Sequence, residues 1–319
     1  MIKKISNKIS SSAPGSYMIN KSKRTSFPGF SGIPLYDVVI FFIKQVKTVG
    51  MTERASAIAF NFVMAIPPAI IFLFTLIPFL PISKEFELGL YSIIRDVVPG
   101  EKNNANLIHF LQDFINNPRN GLLSLGFILS IFFSSNAVMG IQRSFDKNYI
   151  GFRKRTGWQK RFSAIKITMV LYVLVFLSVL LLITQGQLLK LIIVNQTLRE
   201  IIQNARWAII VLLFFASISH IYRNAPAVNK KWPRITPGSI LATLLMLMLT
   251  LLFSWWVSRF GNYNELYGSI GTVLIMMALI FINSLVLLIG FELNVSINSL
   301  KSIADERKDK PADGAAKTT

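Results

Sequence analysis

The chain has 319 residues, 52% hydrophobic and 15% charged, with 34 Lys and Arg against 15 Asp and Glu. A soluble domain carries about 25% charged residues; the deficit here falls in long apolar runs, which excludes an ordinary soluble globule and indicates a multi-span helical membrane protein. There is no Cys, which excludes disulfides, Cys-based zinc sites and thiol nucleophiles; no cofactor and no metal are expected.

Residues 1–34 are rich in Lys, Ser, Gly and Pro, and no apolar stretch follows the early lysines. They read as a disordered cytoplasmic arm, not a cleaved signal. Residues 35–54 begin "LYDVVIFFIKQVKTVG", which is too short to span and carries Lys44 and Lys47; an interfacial amphipathic helix is expected. The transmembrane domain, 55–300, contains six apolar stretches of roughly the 20 residues that a bilayer requires. They run over 56–80, 121–142, 164–186, 205–222, 237–259 and 269–291. Between the first two, residues 83–118 show apolar residues at helical spacing on either side of Pro99-Gly100, as expected for an external helical segment. The tail 301–319 is polar and reads as a second disordered cytoplasmic arm.

The charges set the expected orientation. Alternate segments hold 26 of the 34 Lys and Arg, in 1–54, 143–166, 223–234 and 301–317. Lys and Arg favour cytoplasmic loops, so both termini face the cytoplasm. Almost all of the +19 net charge is then explained by topology and by anionic lipid at the basic loops. No nucleic-acid surface is needed. The expected partners are the bilayer itself, an unidentified solute and, with nothing for or against it, a second copy of the chain.

Several groups stand out inside the apolar stretches. Pro67 and Pro68 lie near the middle of the first. Each removes a backbone donor and crowds the carbonyl four residues back, so this helix is expected to be broken there. Broken helices line solute sites in many transporters. Asn61, Asn136 (beside Ser134 and Ser135) and Asn283 are intramembrane polar residues, whose commoner role is to join helices. Glu292 is a lone carboxylate in the sixth stretch. Helix geometry places it near the inner boundary, with Arg54, Arg143 and Arg223 as candidate partners and Glu53 also at that depth. On the helix, Gly290, Asn294 and Asn298 share a face roughly opposite Glu292. Glu292, Glu53, Arg54 and Arg223 therefore form either a polar path or ion pairs that tie helices.

The motifs "RASAIAF…IPPAIIFLF", "YRNAP…WPRITPGSILA", "YNELYGSIG" and "LLIGFELN" occur in this order. Together they resemble the YihY/BrkB family of membrane proteins, from about residue 36 to residue 298. The resemblance implies a six-span bacterial inner-membrane protein. It carries a serum-resistance virulence label in one branch, a suggested transport role and an older label, ribonuclease BN. The positions it marks here are Arg54, Pro67, Tyr222, Arg223, Pro226, Pro237, Gly238, Tyr263, Asn264, Tyr267, Gly268, Gly271, Gly290 and Glu292. Tyr263, Asn264, Tyr267 and Gly268 form its turn motif. The chain departs from the family at Phe60 and Ala65, where Tyr and Ser are usual, and lacks a Trp near Ala278.

A metal-dependent nuclease needs clustered His and carboxylate ligands. Only His109 and His220 exist, assigned to opposite sides of the membrane, and no GxxxxGK[ST], HExxH or GxSxG occurs. No catalytic residue is expected. The sequence supports a transporter or permease-like protein of unknown substrate; the alternative is a non-transporting envelope scaffold.

Overall fold

The computed structural model describes residues 13–48, 50–76, 88, 91, 105, 108–109, 112–113, 120–146, 152–183, 195–260 and 269–309. Within them are α1 (Ala13–Arg24), α2 (Leu35–Thr48), α3 (Met51–Leu76), α4 (Asn120–Phe145), α5 (Gly157–Ile183), α6 (Gln196–Asn224), α7 (Pro237–Phe260) and α8 (Ser269–Asp309). An isolated antiparallel bridge joins Phe152 and Val228. Apart from that bridge, the regular structure among the described residues is helical, as the apolar runs require. Among the described residues, four stretches are long and apolar enough to cross a membrane: Ser124–Phe145, Gly157–Ser178, Pro237–Val257 and Val273–Glu306. Their large apolar side chains also point outward, as Leu244, Met248, Leu251 and Trp255 do on α7, the pattern of a lipid-facing surface.

The helix ends follow from local chemistry. Thr156 and Gln159 form a capping box at the start of α5: Gln159 Oε1 accepts from the Thr156 backbone, and Thr156 Oγ1 accepts from the Gln159 backbone. Thr236 and Ser239 repeat this at α7, and Pro237 occupies the first helical position, where its missing N–H is not needed.

Two compact units are distinguished: Met1–Ala57, Arg143–Arg155 and Tyr222–Thr319 form one, and Ile58–Gln142 and Thr156–Ile221 form the other. In the first, α2 packs on the second half of α8, where Val38, Phe30, Ile33 and Ile297 form a core flanked by Leu35, Leu293 and Leu300. In the second, α4 and α5 share a polar seam. Tyr172 bonds Ser130 and Ser134, and Gln142 donates to Ser163 at 3.2 Å.

Three expectations are corrected. Pro67 and Pro68 do not break α3, which runs through both. Proline's φ is compatible with a helix, and the turns on either side supply enough hydrogen bonds to carry the chain across two missing donors. Residues 13–34 do not form a disordered arm. Helix α1 carries Lys21, Lys23 and Arg24 in its last turn, where the helix dipole favours cations, and Lys23 lies 5.1 Å from the Tyr36 ring. The following turn, with positive φ at Gly29, Ser31 and Gly32, buries Phe30 and Ile33. Finally, residues 301–309 continue α8 as helix, so the ordered chain reaches further than the polar composition of the tail implied. The external segment 83–118 lies almost wholly outside the described residues.

Candidate functional site

The site centres on residues 290–294 of α8. Positions 290 and 294 are one turn apart and share a face, while 292 is displaced by two residues, about 200°, to the opposite side. The first face is closed against α7. A Cβ on Gly238 would lie 2.1 Å from the Gly290 carbonyl oxygen, and one on Gly290 would lie 2.6 Å from the Gly238 oxygen. The two backbones touch, which only glycine permits. Asn294 Oδ1 accepts from the Gly238 N–H at 3.0 Å, and its Nδ2 donates to Thr236 Oγ1 at 3.0 Å. Asn294 thereby satisfies a donor at the buried start of α7, the role a local cap usually fills. Tyr222 Oη donates to the Leu287 carbonyl at 2.7 Å.

The opposite face carries the charge. Glu292 is fully buried, and the Arg54 Nη1 lies 3.9 Å from its Oε1, with the Arg54 side chain 30% exposed. The same Nη1 donates to the Ser144 carbonyl at 3.0 Å. Ser144 sits in the last turn of α4, whose final carbonyls have no helical partner. A cation is favoured there by the dipole as well. Arg54 thus links the end of α4 to the carboxylate of α8. Beside it, Phe145 stacks on Phe291 at 3.8 Å between ring centres, and Trp232 lies 5.7 Å from Phe291.

The remaining candidates fall elsewhere. Glu53 is exposed in the first turn of α3, with Oε2 3.0 Å from where a Cβ on Gly50 would lie. Arg223 is half-buried in the last turn of α6. Asn61 packs on Gly140 of α4, where an added Cβ would lie 3.1 Å from its Nδ2. Asn136 accepts from Arg161. Asn283 donates to Thr250 of α7 at 3.4 Å and to the Leu279 carbonyl at 3.0 Å. Pro67 is exposed and Pro68 half-buried. Tyr263, Asn264, Tyr267 and Gly268 lie outside the described residues.

Two arginines matter structurally that the sequence showed only as members of a basic run. Arg155 Nη1 donates to Ala225 O at 3.1 Å and Nη2 to Pro226 O at 3.0 Å, capping the end of α6. Burial, then the neighbouring Arg153, pulls its guanidinium below its ordinary range, with Asp146 acting the other way. Arg161 lies over the Phe132 ring, 4.4 Å from its centre. Neither placement has a one-dimensional signature; the run "RKRTGWQKR" reports sidedness only. Among the described residues, no group of three or more His, Cys, Asp or Glu could hold a metal ion.

The chain is 26% identical over 259 residues to the putative ribonuclease-like protein YfkH of Bacillus subtilis, covering 80% of this chain and 92% of that one. It is 24% identical over 282 residues to a UPF0761 membrane protein of Tolumonas auensis, covering 85% and 88%. A UPF0761 membrane protein of Idiomarina loihiensis is 28% identical over a shorter 102 residues, 32% of this chain and 36% of that one. No solved structure matches. The profile described as Virulence factor BrkB matches residues 42–316, a stretch that begins within α2 and takes in the Arg54–Glu292 pair and the Gly238–Gly290 contact. The chain belongs to the virulence factor BrkB family of membrane proteins.

Proposed function

We propose that this chain is a permease-like protein of the bacterial inner membrane, with six spans and both termini in the cytoplasm. The observation that carries the reading is the fully buried Glu292 beside a partly exposed Arg54. At 3.9 Å the Coulomb attraction is about 4 kcal/mol for an effective dielectric near 20. Burying the carboxylate costs several kcal/mol, so the pair adds little net stability. An intramembrane carboxylate retained without a stability gain is a default candidate for handling a proton or a cationic solute. Support for the orientation comes from the 26 Lys and Arg on alternate segments. We read the chain as having no nuclease activity, because two His and no Cys provide few of the ligands that metal-dependent cleavage uses.

The test uses the absence of Cys. Glu292→Cys and Asn294→Cys, made separately, are treated with a membrane-impermeant maleimide in intact cells and in inside-out vesicles. Both positions are buried here, so labelling reports an opening. The expected result is labelling of Glu292→Cys from the cytoplasmic side while Asn294→Cys stays dark. A folded Glu292→Cys protein unlabelled from both sides would overturn the permease reading and leave the carboxylate as a dry tie between helices.

A further inference from the structure

Arg161 stands one turn into α5 and turns its guanidinium onto α4. Nη1 donates to Asn136 Oδ1, Nη2 reaches the Phe132 carbonyl at 3.5 Å, and the Phe132 ring lies beneath. All of these partners are neutral. Among the described residues, no carboxylate forms an ion pair with Arg161. The side chain also points the wrong way for simple snorkelling. Its partners lie 9 and 13 residues from Phe145 at the basic end of α4, so at about 1.5 Å per residue it reaches at least about 13 Å along that helix. A long cationic side chain with no ligand to meet turns towards the interface instead. A cation held at this depth calls for an anion brought to it.

The surroundings indicate which anion. Trp158, one turn before Arg161 and its neighbour on the helix surface, is 77% exposed, the placement of an interfacial aromatic. On α4, Phe132, Ile128 and Leu125 are exposed at 50%, 63% and 54%. Their spacing of four and three residues makes one column, running from the guanidinium away from the basic end of the helix. A half-buried cation at one end of an exposed apolar column has the outline of an amphipath. The guanidinium keeps N–H donors beyond the contacts to α4, in a fork that suits phosphate oxygens.

We propose that α4 and α5 form a binding site for a glycerophospholipid, with its phosphate on Arg161 and an acyl chain along Phe132, Ile128 and Leu125. The site does not depend on the permease reading. It is distinct from general attraction of basic loops to anionic lipid, because it is held by one pinned side chain.

The test is native mass spectrometry of the full chain in detergent, titrated with phosphatidylglycerol. Wild type is expected to retain one lipid through delipidation. Arg161→Gln should weaken retention at least about tenfold, the smallest effect expected for lost charge-assisted hydrogen bonds. Lys301→Gln removes the same charge from an exposed position on α8 and should change nothing. If Arg161→Gln does not fold, Arg161→Lys, which keeps the charge and loses the fork, should bind about threefold or more weakly. Retention equal to wild type in either folded variant overturns the site. So does displacement of the lipid by millimolar inorganic phosphate, which would identify a free-anion site instead.

Discussion

Gly238→Ala probes the contact on which the α7–α8 pair is built. The added methyl would sit 2.1 Å from the Gly290 carbonyl oxygen and 2.6 Å from Asn294 Cγ and Oδ1. Ordinary contacts are more than 1 Å longer, and the obstacle is backbone, so the helices must separate. Overpacking of this kind costs about 1–3 kcal/mol. Separation also stretches the two Asn294 bonds at 3.0 Å and the Tyr222 bond at 2.7 Å, each worth about 0.6 kcal/mol in a bilayer. Against this, alanine improves helix propensity by at most about 1 kcal/mol. The net expectation is a loss of about 2–4 kcal/mol, read by SDS-driven unfolding in mixed micelles. Gly157→Ala is the control: nothing lies within 4 Å of its added methyl, so it should stay within about 0.5 kcal/mol of wild type. If Gly238→Ala were as stable as Gly157→Ala, the backbone contact would not be what holds these helices.

Three further predictions follow from the same geometry. Arg54→Gln should destabilise more than Glu292→Gln, by about 3–5 against about 1 kcal/mol, because the first leaves a buried carboxylate without its guanidinium and the second leaves a partly exposed cation; equal losses in micellar unfolding would show that Glu292 does not rely on Arg54. Arg155→Lys should cost about 1–2 kcal/mol, since an ammonium cannot reach Ala225 and Pro226 with the fork that the guanidinium uses; an unchanged unfolding midpoint would refute the cap. Tyr222→Phe removes the donor to Leu287 at about 1 kcal/mol, and amide exchange in the middle of α8 is the local readout expected to rise.

The helices themselves were legible, because a bilayer demands long apolar runs and each run became a helix. Where those helices end was less so. The sixth apolar stretch, 269–291, is followed by the polar residues Asn294, Ser296 and Asn298. Yet α8 runs to Asp309, and these polar side chains are absorbed locally. Ser296 donates to the Glu292 carbonyl at 2.7 Å and Asn298 to the Asn294 carbonyl at 2.8 Å. Polar side chains end a helix only when they cannot be satisfied within it. The prolines mislead for the related reason that a local rule states a cost, and a 26-residue helix can absorb it.

Periodicity assigns a face but not a neighbour. It separated Glu292 from the Gly290–Asn294 row, and that separation holds. It could not choose among Arg54, Arg143 and Arg223, because the choice depends on which helix end arrives beside residue 292. The same separation has a mechanical consequence. One side of α8 is locked to α7 by backbone contact without slack, and the other carries a charge paired with the partly exposed Arg54. A change of charge at Glu292 therefore acts on the Arg54 side, where the contact is electrostatic and 3.9 Å long, before it acts on the Gly238 side, where any displacement breaks hydrogen bonds. Glu292→Gln should accordingly leave the Asn294–Gly238 bond intact while loosening the hold of Arg54 on the end of α4.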